Sequence, residues 1–277
     1  MIRSDVAGIV LAAGQGVRLR PLTGSVPKAL CPVGNVPLLD LALARLDRVG
    51  LAGPDRVAVN AWYLAEQVAA AVAGRAYLSV EPGAHPRGTA GGVAYLRDWL
   101  AGRGVLVANA DAYLAGGDLG ALLDGWDGES TRLLGVPGTP AEFGRYRFAG
   151  ASLLPWHRVA RLPSGEAPTD LVHEVWRAAE AAGELEVVDY PGTYLDTGTP
   201  RSYLAANLHA TGTGGGSLVA PDATVTGTVV RSVVGARAVV LGRLTRAVVW
   251  PDGVVGPGEH LVDAVRFGHS GTVSMSG

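Results

Sequence analysis

Five short apolar runs divide the first half of the chain at regular intervals: residues 6–12 (VAGIVLA), 56–60 (RVAVN), 76–80 (AYLSV), 104–109 (GVLVAN) and 131–136 (TRLLGV). Each is rich in β-branched residues and bounded by turn formers, which is the pattern of a strand. Several are apolar on both faces, as central parallel strands covered by helices must be. Between them Leu39, Leu43 and Leu46, then Leu64, Val68 and Val72, then Val93, Leu96 and Leu100 recur at helical spacing. This alternation predicts an α/β fold with a doubly wound, mostly parallel sheet. Ligands of such sheets bind beyond the carboxyl ends of the strands, on the loops that follow them. Further on, Thr169 reads as the N-cap of a helix bearing Leu171, Val175 and Ala178. Thr199 followed by Pro200 reads as a second helix start.

The pattern changes at residues 211–216 (TGTGGG), a glycine-rich break. Beyond it valine or leucine returns every few residues, glycine and proline sit at corners, and helical periodicity disappears. Two domains are expected, 1–212 and 213–277. An approximate six-residue period in the second suggests coils of a parallel β-helix, with an ordinary small β domain as the alternative. A stack of so few coils has ends to cover, so a homo-oligomer joined through this tail is expected.

Composition excludes some partners. A formal net charge of −2 gives no reason to expect nucleic acid or an anionic membrane. One cysteine, Cys31, allows no intrachain disulfide and fits a reducing compartment. The early apolar run VAGIVLAAG is too short to span a bilayer. A cytoplasmic protein is the expectation.

Of the 23 basic residues, 22 are arginine and one, Lys28, is lysine. A compact ammonium and a planar guanidinium differ most where space is tight, so the exception marks a candidate site. Lys28 lies in the segment into which the first strand empties, LAAGQGVRLRPLTGSVPKAL (11–30). Gly14 and Gly16 permit a tight turn whose backbone N–H groups can approach phosphate oxygens. The spacing fits neither common phosphate loop. Leu19 stands where a dinucleotide fingerprint needs its third glycine, and no G-x-x-x-x-G-K-[ST] occurs.

The whole segment resembles the signature of sugar-phosphate nucleotidyltransferases, G-x-G-[ST]-R-L-x-P-L-T followed by P-K. It matches at Gly14, Gly16, Arg18, Leu19, Pro21, Leu22, Thr23, Pro27 and Lys28. Other landmarks follow in the family's order: PRGTAGG (86–92), NAD (109–111), EFGRY (142–146) and YLDTGTPRSYLAANL (194–208). The resemblance implies a Rossmann-like nucleotidyltransferase fold, with a left-handed β-helix behind it. It also implies transfer of a nucleotidyl group from a nucleoside triphosphate to a sugar 1-phosphate, releasing pyrophosphate. On it, Arg18 and Lys28 are catalytic, and Leu11, Ala13, Gly14, Gly16, Gly88 and Thr89 bind nucleotide. Asp111 and Asp196 hold Mg²⁺, and Gly144 and Arg147 face the sugar phosphate. The stretch PKALCPVGNVPLLD is most similar to guanylyltransferases acting on mannose 1-phosphate. Asp196-Thr197-Gly198 also spells the aspartic-protease triplet, but a protease needs a symmetric pair of such loops and one is present.

Two departures from the family are visible. Val17 replaces a small hydroxyl residue in the glycine loop. The hairpin and lysine that normally follow the sugar-side strand are missing, since EFGRYRFAG runs directly into the next apolar stretch. Arg145, Arg147 and Arg161 are candidate substitutes for the lysine. Two readings stay open: a working transferase with a trimmed acceptor pocket, and a regulatory homologue that binds nucleotide or sugar nucleotide without turnover.

Overall fold

Each of the five apolar runs forms a strand close to its expected bounds. The computed structural model describes residues 5–275; the outermost residues of both expected domains, 1–4 and 276–277, lie outside the described residues. In chain order the strands are β1 (Val6–Leu11), β2 (Val57–Ala61), β3 (Tyr77–Val80), β4 (Gly104–Asn109), β5 (Ala112–Ala115), β6 (Thr131–Pro137), β7 (Tyr146–Leu154) and β8 (Leu185–Asp189). Seven of them make one sheet in the order β8-β6-β7-β4-β1-β2-β3, and β5 stands outside it. The pairs around β1 and β2, and the pair β8–β6, are parallel. β7 runs antiparallel to both β4 and β6. The sheet is therefore mostly parallel, with one reversed strand inserted. Neither the direction of β7 nor the strand at 185–189 was legible, because an apolar run reads alike in both directions and LEVVD carries two acids among five residues.

Helices α1 (Leu38–Arg48) and α2 (Ala65–Val72) follow their leucine and valine repeats. The third repeat, expected as one helix, is two: α3 (Gly88–Tyr95) and α4 (Arg97–Leu100), joined at Leu96. Val93, Leu96 and Leu100 are nonetheless all buried in the core with Ile9, Val105 and Val107. The helix start expected at Thr169 is displaced by one residue. The Asp170 carboxylate accepts the N–H of His173 at 2.9 Å, and the Thr169 hydroxyl is buried without a partner. Thr169 is held instead by its backbone, which accepts from Ala90 and donates to Arg87. The segment then passes through a π turn, Val172–Trp176, before regular helix resumes.

The chain divides into two compact units, and the division is not the linear one expected near residue 212. The first comprises residues up to Gln15, Pro27–Ala29 and Leu39–Tyr194. The second comprises Gly16–Val26, Leu30–Leu38 and everything from Leu195. Within the second, the helix Pro200–Ala210 begins as expected, with a capping box between Thr199 and Ser202 and proline in its first turn. After the glycine-rich stretch come short strands paired in parallel. Thr224 lies against Val239 and Val239 against Val254, while Leu218 lies against Val233 and Val233 against Val248. The stacking interval in these pairs is fifteen residues, so a strict six-residue period is not kept. Valines and alanines of successive strands bury one another around Val234, Val240, Leu244 and Val249. The strand Gly271–Ser274 folds back antiparallel on His260–Phe267, so that edge is covered by the chain itself.

Candidate active site

Three central strands end level with one another. Leu11 at the end of β1 is in register with Asn60 of β2 on one side and with Asn109 of β4 on the other. The loops leaving these ends enclose a cavity of about 220 Å³, lined by Leu11–Gly14, Lys28, Asn60, Gly88, Thr89 and Asp111 among others. It occupies the place where a doubly wound sheet binds its ligand. Of the residues singled out in the sequence, Leu11, Ala13, Gly14, Lys28, Gly88, Thr89 and Asp111 come together here, all within the first unit.

Lys28 is 9% exposed, and its ammonium donates to the carboxylate of Asp111 across the cavity wall. Pro27 and Ala29 on either side are also buried. Lys28 therefore reaches the cavity from a closely packed segment, which suits a compact ammonium better than a guanidinium. The pairing keeps positive and negative charge adjacent until a ligand with its own charges enters. Among the described residues no group of three or more His, Cys, Asp or Glu side chains could hold a metal ion. That leaves Asp111 as the anionic oxygen donor lining this cavity. One carboxylate suffices for Mg²⁺ only where phosphates and water supply the remaining oxygens.

The two glycines that line the cavity have different causes. Gly88 has φ +77°, and a Cβ there would lie 2.2 Å from the Thr169 carbonyl oxygen. The Thr169 segment is pinned to this loop, since Thr89 Oγ1 also accepts the N–H of Leu171 at 2.9 Å. Gly14 has no such constraint: a Cβ built on it meets nothing within 4 Å. The protein itself gives no reason for glycine at position 14, so the space beside it is available to a ligand. Gly88→Ala should destabilise the fold, with roughly 1–2 kcal/mol from the left-handed backbone and about 1–3 kcal/mol from overpacking. Gly14→Ala should leave the melting temperature unchanged and weaken nucleotide binding about tenfold, equivalent to about 1.4 kcal/mol. Thermal melts and nucleotide titrations of both variants separate the two causes.

A polar network not anticipated from the sequence shapes the cavity floor. Asn60 Oδ1 accepts the N–H of Ala12 at 2.7 Å, and Asn60 Nδ2 donates to Glu81 Oε1 at 2.6 Å. Glu81 Oε2 accepts the N–H of Arg87 at 2.8 Å. Glu81 is 3% exposed and Asn60 is 2%. Together they tie the end of β1 to the loop that leads into α3, the two elements that bracket the cavity. Gly92 is the signal that was present in the sequence: a Cβ there would meet Asn60 Nδ2 at 2.6 Å and Glu81 Oε1 at 2.9 Å.

The remaining expected residues lie elsewhere. Gly16, Arg18 and Asp196 belong to the second unit. Gly16 is left-handed at φ 64° and starts the 3₁₀ turn Val17–Leu19, and Thr23 Oγ1 donates to its carbonyl at 2.7 Å. Arg18 and Asp196 are near each other. A Cβ on Gly198 would lie 2.9 Å from Asp196 Oδ1 and 3.0 Å from Arg18 Nη2. Gly144 and Arg147 belong to the first unit but do not line its cavity. Gly144 is left-handed in the tight turn that joins Phe143 to Tyr146. The Arg147 stem lies over Gly138, where a Cβ would meet its Cδ at 2.9 Å. Arg145 folds onto its neighbour instead, donating to Tyr146 Oη at 3.0 Å.

The chain belongs to the MobA-like NTP transferase domain family, whose pattern it matches over residues 8–219. It is 28% identical over 235 residues to a mannose-1-phosphate guanylyltransferase of Mycobacterium tuberculosis. That alignment takes in 74% of this chain and 64% of the relative, less than two thirds of the relative's length. It is 29% identical over 241 residues to an N-acetylmuramate alpha-1-phosphate uridylyltransferase of Caulobacter vibrioides, covering 74% of this chain and 97% of the other. Among solved structures, the fold is shared with HddC from Yersinia pseudotuberculosis at a TM-score of 0.59 and 17% identity, covering 73% of this chain and 97% of that one. No helix of the described residues is long and apolar enough to cross a membrane.

Proposed function

We propose that this protein is a sugar-1-phosphate nucleotidyltransferase. An oxygen of the sugar 1-phosphate bonds to the α-phosphorus of a nucleoside triphosphate, the bond from that phosphorus to the bridging oxygen breaks, and pyrophosphate leaves. The observation that carries the reading is the Lys28–Asp111 pair, set in a cavity walled by the glycine loop and by Gly88 and Thr89. The two relatives described above are named for different bases and sugars, but both names describe nucleotidyl transfer to a sugar 1-phosphate. GTP and mannose 1-phosphate are our first choice of substrates.

The nucleophile is already ionised at neutral pH, so the site needs no general base. It needs positioning and positive charge. Lys28 supplies charge at the α-phosphate, and the backbone N–H groups of the glycine loop cradle the phosphates. Arg18 meets the departing pyrophosphate. Asp111 would hold Mg²⁺, and Asp196 would assist. The metal, when bound, neutralises phosphate charge and aligns the triphosphate. The short parallel strands after residue 217 form a left-handed β-helix in this reading, and it joins subunits. The fifteen-residue interval that most of these pairs share supports the helix, with seventeen between Arg243 and His260, and the hairpin that covers one edge leaves the opposite one for a neighbour.

A pyrophosphate-release assay over four triphosphates and a panel of sugar 1-phosphates tests the proposal. Release with at least one pair is expected. Nucleotide binding without release on any pair would replace it with the regulatory reading, which the replacement of a hydroxyl residue by Val17 in the glycine loop favours. Arg147 is proposed to take over from the lysine that the family places on the sugar side, because a guanidinium can grip phosphate with two bonds. Arg147→Ala should raise the KM for the sugar phosphate more than about tenfold, or about 1.4 kcal/mol, and change that for the triphosphate little. Equal changes in both would make Arg147 structural.

A further inference from the structure

Arg45 is a charged residue in an unlikely place. It lies on α1 and is 6% exposed, yet it forms no ion pair among the described residues. Its electrostatic neighbours are Tyr190, Arg48 and Tyr113, with no carboxylate among them. Burial draws its pKa down to about 10, so it remains charged at neutral pH. A buried, unpaired cation costs stability, and an aliphatic side chain would fill the same space without that cost. The guanidinium must therefore serve something that packing alone does not.

Its hydrogen bonds show what. Nη1 donates to the carbonyl of Ala112 at 3.0 Å and Nη2 to the carbonyl of Leu114 at 3.3 Å. These two carbonyls lie two residues apart on β5, the short strand outside the seven-stranded sheet. One rigid planar group thus spans alternate carbonyls of a strand that the main sheet does not hold. Ala112 is the residue directly after Asp111. Fixing its carbonyl fixes the peptide plane that follows Ala112, one residue beyond Asp111, and so anchors the start of the strand from which the carboxylate leaves the chain.

We infer that Arg45 is a positioning residue: through the carbonyls of Ala112 and Leu114 it holds Asp111 against Lys28. Its catalytic consequence rests on the reading of Asp111 as the metal-binding carboxylate; the positioning itself does not. Partners of this kind, one step removed from a metal ligand, typically change metal affinity or activity by about 10- to 100-fold when lost.

Because Lys28 is the only lysine, protein labelled with ¹³C at the lysine ε carbon gives one lysine signal, and that signal reports on the Asp111 carboxylate. Asp111→Asn sets the shift of the unpaired state. Arg45→Met should move the signal at least half of that distance, and Arg45→Gln, which keeps one donor and protects against loss of folding, should move it less. Leu46→Ala on the same helix, fully buried, destabilises the fold without touching the carbonyls and should leave the signal in place. A signal unmoved in a folded Arg45 variant, or moved as far by Leu46→Ala, overturns the inference. So does a signal indifferent to Asp111→Asn, since then no held pair exists to be positioned. If the protein also turns over, Arg45→Met should raise its Mg²⁺ requirement by about 10-fold or more. Failure of every sugar phosphate as substrate would sink the functional reading and leave the spectroscopic result standing.

Discussion

Replacing Lys28 by arginine should lower kcat by about a hundredfold or more while the protein stays folded, because an error of about 1 Å in placing a reacting group costs that much. The substitution keeps the charge and changes its shape. Lys28 is 9% exposed between two buried neighbours, Pro27 and Ala29, and its ammonium fills the space in front of Asp111. A guanidinium is wider and carries its charge on a planar fork. To fit, it must move the segment or reach the α-phosphate from another direction. The composition sharpens the expectation: the other 22 basic residues are all arginine, so the chain carries lysine only at this position. Lys28→Met should show a similar loss, since both remove a correctly placed ammonium. Steady-state kinetics of the two variants, with circular dichroism to confirm folding, make the comparison. An arginine variant within threefold of wild type would show that charge alone matters here.

How far the sequence could be read depended on whether a residue's role is local. Strand β1, the turn at Gly16 and the helix start at Thr199 follow from chemistry within a few residues, and each was legible. Gly88 was legible as a motif position, but its physical cause, the Thr169 carbonyl 2.2 Å from where a Cβ would sit, comes from eighty residues away. The Asn60–Glu81 pair left one trace, Gly92, and was otherwise illegible, because an asparagine near the end of one strand and a glutamate following the next look like ordinary turn residues until the sheet places them side by side. Arg45 is a stronger case. In a leucine-rich helix it reads as a solvated charge, and its burial depends on where β5 runs outside the main sheet. The reversal of β7 belongs with these, because strand direction is a property of the sheet and not of the run of residues.

Asp111→Asn should abolish Mg²⁺-dependent turnover and leave the fold intact. The change is isosteric, and it removes a charge without opening a cavity. The carboxylate lines the cavity and is only half-buried, but the Lys28 ammonium left behind is 9% exposed and is hydrated only through the cavity. Stability should therefore fall by about 1–3 kcal/mol, the cost of leaving a buried donor without its partner, without unfolding the protein. Catalysis has no such reserve. Among the described residues no cluster of three acidic or metal-binding side chains can substitute, and a neutral amide is a poor ligand for a hard cation that favours anionic oxygen. Loss of a charge-stabilising group of this kind costs about 100- to 1,000-fold in kcat, and raising Mg²⁺ should recover little of it. Nucleotide binding without metal should strengthen slightly, because a negative charge facing the phosphates is gone and Lys28 is released from its pair. Measuring kcat across a Mg²⁺ series and triphosphate affinity with a chelator present separates these effects. Retained turnover at ordinary Mg²⁺ would move the metal away from Asp111, and tighter metal-free binding would place the phosphates beside the Lys28–Asp111 pair.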